Sequence, residues 1–177
     1  MSVFTLEAGL AILGLVLLMI EAFKPDISRT TLGLTAITGT AVALVLLPFC
    51  GGALPAFMLP WHQLDTLALF YKGFALVITL LVLWLTLVCS PYLTRFTMEG
   101  KLAEMFSLPL IVCAGMMWMA SARDLVTVFV ALELVTVSFY VLVAYARKSA
   151  FSLEAGVKYL ILGALSTGVL IYGIAWI

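Results

Sequence analysis

Six apolar runs, each close to the length that crosses a bilayer, dominate this chain: Phe4 to Ala22, Thr31 to Leu47, Phe70 to Cys89, Ala103 to Ala120, Leu125 to Tyr145 and Leu153 to Ile177. A spanning helix needs about 20 mostly apolar residues. The runs therefore predict an all-α, polytopic transmembrane bundle of about six helices. Composition agrees: 65% of the 177 residues are hydrophobic and 10% charged, whereas soluble domains carry about a quarter charged residues. The lipid bilayer is the first partner. A formal net charge of zero gives no reason to expect nucleic acid.

Most charges lie between the runs. Lys24 and Arg29 follow the first, Arg95 and Lys101 the third, and Arg147 and Lys148 the fifth, while the opposite side shows only Lys72 and Arg123. The positive-inside rule then places both termini outside, on the periplasmic face of a bacterial inner (plasma) membrane. The longest connection, Pro48 to Leu69, combines PFCGGALP with LPWHQLD, and Trp61 and Tyr71 suit a headgroup-level aromatic belt. The first run has Glu7 where a secretory signal would have Lys or Arg, so it is expected to stay as a helix. Small residues, Gly33, Ala36 and Gly39 in the second run and Gly163, Ala164, Ser166, Thr167 and Gly168 in the last, mark faces expected to pack against protein.

Several kinds of chemistry find no support. Cys50, Cys89 and Cys113 are widely spaced and odd in number, suggesting neither a disulfide framework nor a metal or iron–sulfur ligand set. No GxGxxG or GxxxxGK[ST] is present, so redox cofactors are expected on other polypeptides, with none bound here. No nucleophile, base and orienting acid form a recognisable set, so no independent catalytic site is expected. Movement of protons or ions is the better class.

Ionisable residues inside the runs point the same way. Glu133 stands eight residues beyond Leu125 in ALELVTVSFYVLVAY, about 12 Å along a helix and near mid-membrane. A charge there costs roughly 3 kcal/mol on insertion scales and needs a partner, a water-filled cavity or a task. Burial raises a carboxylate's pKa and a nearby cation lowers it, so such a group can hold or release a proton as its partner changes. Lys158, in EAGVKYLILGALSTG, is the second candidate. Its stem can also reach the interface, and Glu154 stands four residues earlier on the same face. Glu7, Glu21 and Lys72, near helix ends, are expected to meet water or headgroups. Asp124 is expected to cap the fifth helix, His62 to be an interfacial loop residue, and Met116, Met117 and Met119 to be packing.

The stretches MWMASARDL, LELVTVSFYVLVAY and EAGVKYLILGALSTGVLIYGIA resemble the antiporter-like subunits of proton-pumping NADH:quinone oxidoreductase, respiratory complex I. The KYLILGALSTG form is most similar to subunit N, and DTLALFYKGFALVITLLVLWLTLVCSPYL resembles that family's third helix and leading loop. The resemblance implies a partial antiporter-like fold, with residues 1–102 as three opening helices and 103–177 as the start of the translocation repeat. It implies that Glu133 is a proton-path glutamate and Lys158 belongs to a chain of buried charges. It further implies a translocase complex using NADH, FMN, iron–sulfur clusters and quinone, with the other membrane-arm subunits as partners. Family members have about fourteen helices in inverted repeats. The lysine that pairs with the matching glutamate lies on a seventh helix beyond Ile177, so the resemblance implies either an N-terminal fragment of a longer subunit or a split subunit completed by a second chain that supplies the missing helices. A cation/proton antiporter subunit, a membrane-bound hydrogenase subunit and a non-transporting assembly element are the alternatives.

Overall fold

The computed structural model describes residues 3–24, 27–50, 60–95 and 102–177. Six α-helices run through them: α1 (Val3–Phe23), α2 (Arg29–Leu46), α3 (Thr66–Leu93), α4 (Ala103–Ala120), α5 (Leu125–Val143) and α6 (Ala150–Ala175). All six are long and apolar enough to cross a membrane. The expected all-α bundle is thus the observed one. Lys101, counted above for orientation, and residues 51–59 of the long connection lie outside the described residues.

Helix starts are set by polar side chains that satisfy otherwise unpaired amides. Ser28 Oγ accepts from Thr31 N at 3.2 Å to begin α2, and Asp124 Oδ1 accepts from Thr127 N at 2.6 Å to begin α5, as expected. The start of α4 is capped from a distance: Glu21, at the end of α1, accepts from Leu102 N and Ala103 N, both at 3.1 Å. Glu21 is therefore a structural cap and not a headgroup ligand. Within helices, Thr40, Thr79 and Thr86 each return the hydroxyl to a carbonyl four residues back at 2.8 Å. These bonds spare the groups the cost of standing unpaired in an apolar phase. At 28 residues, α3 extends to about 42 Å, more than a hydrocarbon core of about 30 Å, so it must tilt or protrude.

The core is built around α4, which packs against α1, α2, α3 and α5. Leu10 and Leu17 of α1, Leu76 and Leu83 of α3, and Phe106, Leu110 and Met117 of α4 are buried there. Gly33 admits Leu87 and Phe106 against α2, and Gly39 admits Leu13, so the small face of α2 does pack against protein.

The α5–α6 hairpin sits at the edge. Helix α6 packs against α5, with Gly156 its one fully buried residue among those described. The close approach is set by Gly156 against Ala144 and Gly163 against Tyr140, while Tyr140 and Tyr159 meet edge to face at 5.3 Å. The expectation for the small face of α6 needs correction. Gly163 and Thr167 turn toward α5, but Ala164 and Gly168 are exposed, because α5 covers only one strip of the helix.

Candidate functional site

Two polar centres interrupt the apolar bundle. The first follows Glu133. Half-buried on α5, it accepts a 2.7 Å hydrogen bond from Thr167 Oγ1 of α6, joining the two helices by a polar contact within the span. Thr136 Oγ1 donates to the Glu133 carbonyl at 3.1 Å, tying up the neighbouring hydroxyl. Beside them lies a mainly apolar groove of about 470 Å³ between α5 and α6, where Leu132, Leu162 and Leu170 stand among the hydroxyls of Thr136, Tyr140, Tyr159, Ser166 and Thr167. Its lining offers several hydroxyls, the type of group that can hold water beside a carboxylate.

Lys158 does not join this centre. Its ammonium lies 2.5 Å from Glu154 Oε1, one turn away on α6, and the side chain is 70% exposed. The geometry is the local Glu-to-Lys pair anticipated from the four-residue spacing. Helix α6 holds Lys158 on a face turned away from α5 in this chain.

The second centre joins residues that lie far apart in the sequence. Lys72 is fully buried on α3, and its Nζ lies 2.6 Å from Oε1 of Glu7 on α1, itself only 4% exposed. His62, from the connection leading into α3, places Nε2 3.8 Å from the same oxygen. The expectations that Glu7 and Lys72 meet water or headgroups, and that His62 is an interfacial loop residue, are therefore overturned. Each charge supplies the other's counter-ion, which is what permits two such groups in an apolar interior. A signal for this existed. In an up-and-down bundle α1 and α3 begin on the same side, and the two residues stand about 6 and 9 Å beyond the helix starts at 1.5 Å per residue.

Backbone pairing fixes His62 in place. Gln63 N donates to Ser121 O at 2.8 Å and Arg123 N to Trp61 O at 2.9 Å, so the histidine loop is clipped to the turn between α4 and α5. On the imidazole's far side, Nδ1 lies 3.2 Å from Ser121 Oγ. Burial first, and the Lys72 cation second, push the His62 pKa down from its ordinary 6.5 to about 4, so the ring is neutral at neutral pH.

At the other end of the bundle, Arg147 stands 3.7 Å from Glu104. Burial, then the nearby Glu104 and Glu21 carboxylates, push the Tyr145 phenol well above its usual range. Among the described residues, no three His, Cys, Asp or Glu side chains converge in a way that could hold a metal ion.

Residues 122–177, the start of α5 through α6, match the family model described as NADH:quinone oxidoreductase/Mrp antiporter, transmembrane. The chain is 40% identical to NADH-quinone oxidoreductase subunit N of Desulfitobacterium hafniense, with 100% of the chain and 35% of that protein covered. It is 39% identical to subunit N of Rhodospirillum rubrum, covering 96% and 34%. In fold it matches a chain of respiratory complex I from Thermus thermophilus, solved with bound aureothin, at a TM-score of 0.72 and 24% identity, over 95% of this chain and 35% of that one. The chain thus spans about a third of the length of the relatives it matches, and the resemblance read from its sequence holds along almost all of it.

Proposed function

We propose that this chain, a relative of NADH-quinone oxidoreductase subunit N, works in the membrane arm of a proton-pumping NADH:quinone oxidoreductase, where its buried charges help move protons in response to quinone reduction. The observation carrying this reading is the similarity to subunit N along the whole chain, including the stretch that holds Glu133 and Lys158. Proton movement through a membrane requires titratable groups inside it, and intramembrane acids mark such pathways. Glu133 has the necessary placement, half-buried on a spanning helix beside a groove into which several hydroxyl side chains reach.

In this account Glu133 holds or releases a proton as its surroundings change. Thr167 donates a hydrogen bond to its carboxylate, and a cation brought close by a neighbouring helix would be its counter-ion. Lys158 tunes or relays charge once further helices cover the α6 face on which it stands. Those helices, from a longer chain or a second polypeptide, are part of the proposal. So are residues 103–177 as the opening of a translocation repeat after three leading helices, other membrane-arm subunits as partners, an inner-membrane location and periplasmic termini. The NADH, FMN, iron–sulfur clusters and quinone of such a complex are assigned to other subunits.

The family model also covers Mrp antiporters, which supports a cation/proton antiporter subunit as the second reading. Purification in mild detergent separates the two. Recovery with the NADH- and quinone-binding subunits is the expected result, and recovery with antiporter subunits alone favours the second.

A further inference from the structure

We propose that Glu7, Lys72 and His62 form a proton relay, in which Glu7 passes a proton between Lys72 Nζ and His62 Nε2. The site lies on α1, α3 and the connection before α3, apart from the α5–α6 centre.

Geometry carries the assignment. One oxygen, Glu7 Oε1, faces both the Lys72 ammonium at 2.6 Å and the imidazole Nε2 at 3.8 Å. Glu7 Oε1 and Oε2, Lys72 Nζ and His62 Nε2 are all buried without a regular hydrogen-bond partner, Oε1 and Nζ meeting as an ion pair and Oε2 and Nε2 having not even that. Such atoms cost free energy and call for an explanation. The far side of the ring supplies part of it. Ser121 Oγ has carbonyl acceptors at 3.3 Å (Met117 O) and 3.2 Å (Trp118 O). Its single proton is engaged there, and the oxygen remains free to accept from His62 Nδ1–H at 3.2 Å. The neutral imidazole then carries its proton on Nδ1 and turns a bare lone pair on Nε2 toward Glu7. Two acceptors facing each other at 3.8 Å do not bond, but they become donor and acceptor once Glu7 is protonated.

The steps balance. Lys72 changes from ammonium to amine as its proton moves to the Glu7 carboxylate. The new O–H bond then breaks as the proton passes to Nε2, restoring the carboxylate and forming imidazolium. Net charge of the three groups is zero at each stage, so no step leaves an uncompensated charge in the apolar interior. The groups facing Glu7 are Lys72 from α3 and His62 from the connection, with uncharged Ser121 behind the ring at the end of α4. Trp61, next to the histidine, is exposed, placing the last station of the relay close to the bundle end.

The chain has one histidine, so ring ¹⁵N labelling of the full chain in lipid nanodiscs reports this site alone and needs no assembled complex. Failure of the proposed pumping role would therefore leave the result standing. The expected spectrum at pH 7 is a neutral ring protonated on Nδ1. Lys72→Met should make His62 the counter-ion of Glu7 and raise its titration midpoint by about two pH units, and adding Glu7→Gln should abolish that rise. Should Lys72→Met not fold, Ser121→Ala decides, because loss of the Nδ1 acceptor should move the proton to Nε2. A ring protonated on Nε2 in the unmodified chain, a midpoint unmoved by Lys72→Met, or a tautomer indifferent to Ser121→Ala would overturn the relay.

Discussion

Lys72 Nζ sits 2.6 Å from Glu7 Oε1 with the lysine side chain wholly buried, joining α3 to α1 through an ion pair inside the apolar bundle. Removing one member strands the other charge in a medium that cannot solvate it. Lys72→Met alone should therefore cost about 3–5 kcal/mol, and the Glu7→Gln, Lys72→Met double variant should recover a large part of that loss. Unfolding of the detergent-solubilised protein, read as a double-mutant cycle, checks this. Additive losses would mean that the two side chains do not act as a pair.

Burial of neutral His62 ties stability to pH. Its pKa falls from 6.5 to about 4 in the folded chain, so between those values the unfolded state binds the additional proton. Stability contributed by this group is fully present above about pH 6.5 and is lost as pH falls toward 4, by up to about 1.4 kcal/mol per unit. Thermal unfolding from pH 8 to 4 should show that decline, and His62→Gln should flatten it. A variant with the same pH slope would place the titration elsewhere.

Glu21 caps the start of α4 through two backbone amides from another helix. Glu21→Ala should destabilise the protein by about 1–2 kcal/mol, the range for losing a helix cap whose acceptor is charged. Glu21→Gln, which keeps one acceptor oxygen, should cost less. Equal costs for the two variants would point to packing instead of capping.

Gly156 brings α6 against Ala144, where an added Cβ would stand 2.6 Å from the alanine Cβ and 3.2 Å from its Cα. Backbone cannot yield as a long side chain can, so Gly156→Leu should spread the hairpin and weaken the Thr167 bond to Glu133. Spin labels at Val137 and Leu165 should report a longer separation. An unchanged distance would show that another contact sets the spacing.

The runs of apolar residues made the helices legible, because lipid imposes a length and a composition that a linear sequence displays directly. Glu133 was legible for the same reason: an acid deep inside a run is conspicuous. Glu7 and Lys72 were not, since each lies close to a helix start, where water is the ordinary partner, and they are 65 positions apart. Their burial arises from tertiary packing, with the His62 loop closing over them through its backbone bonds to the α4–α5 turn. Lys158 shows the opposite limit. Its spacing from Glu154 gave the local pair, but no pattern along the chain says which surface covers α6.

If Glu133 handles protons for a quinone-reducing complex, as proposed, the role is tested by the number of protons moved per NADH oxidised by a complete complex carrying Glu133→Gln. The variant keeps an acceptor for Thr167 but cannot ionise, so assembly and the Thr167 contact should survive while the ratio falls. An assembled complex with an unchanged ratio would remove Glu133 from the proton path.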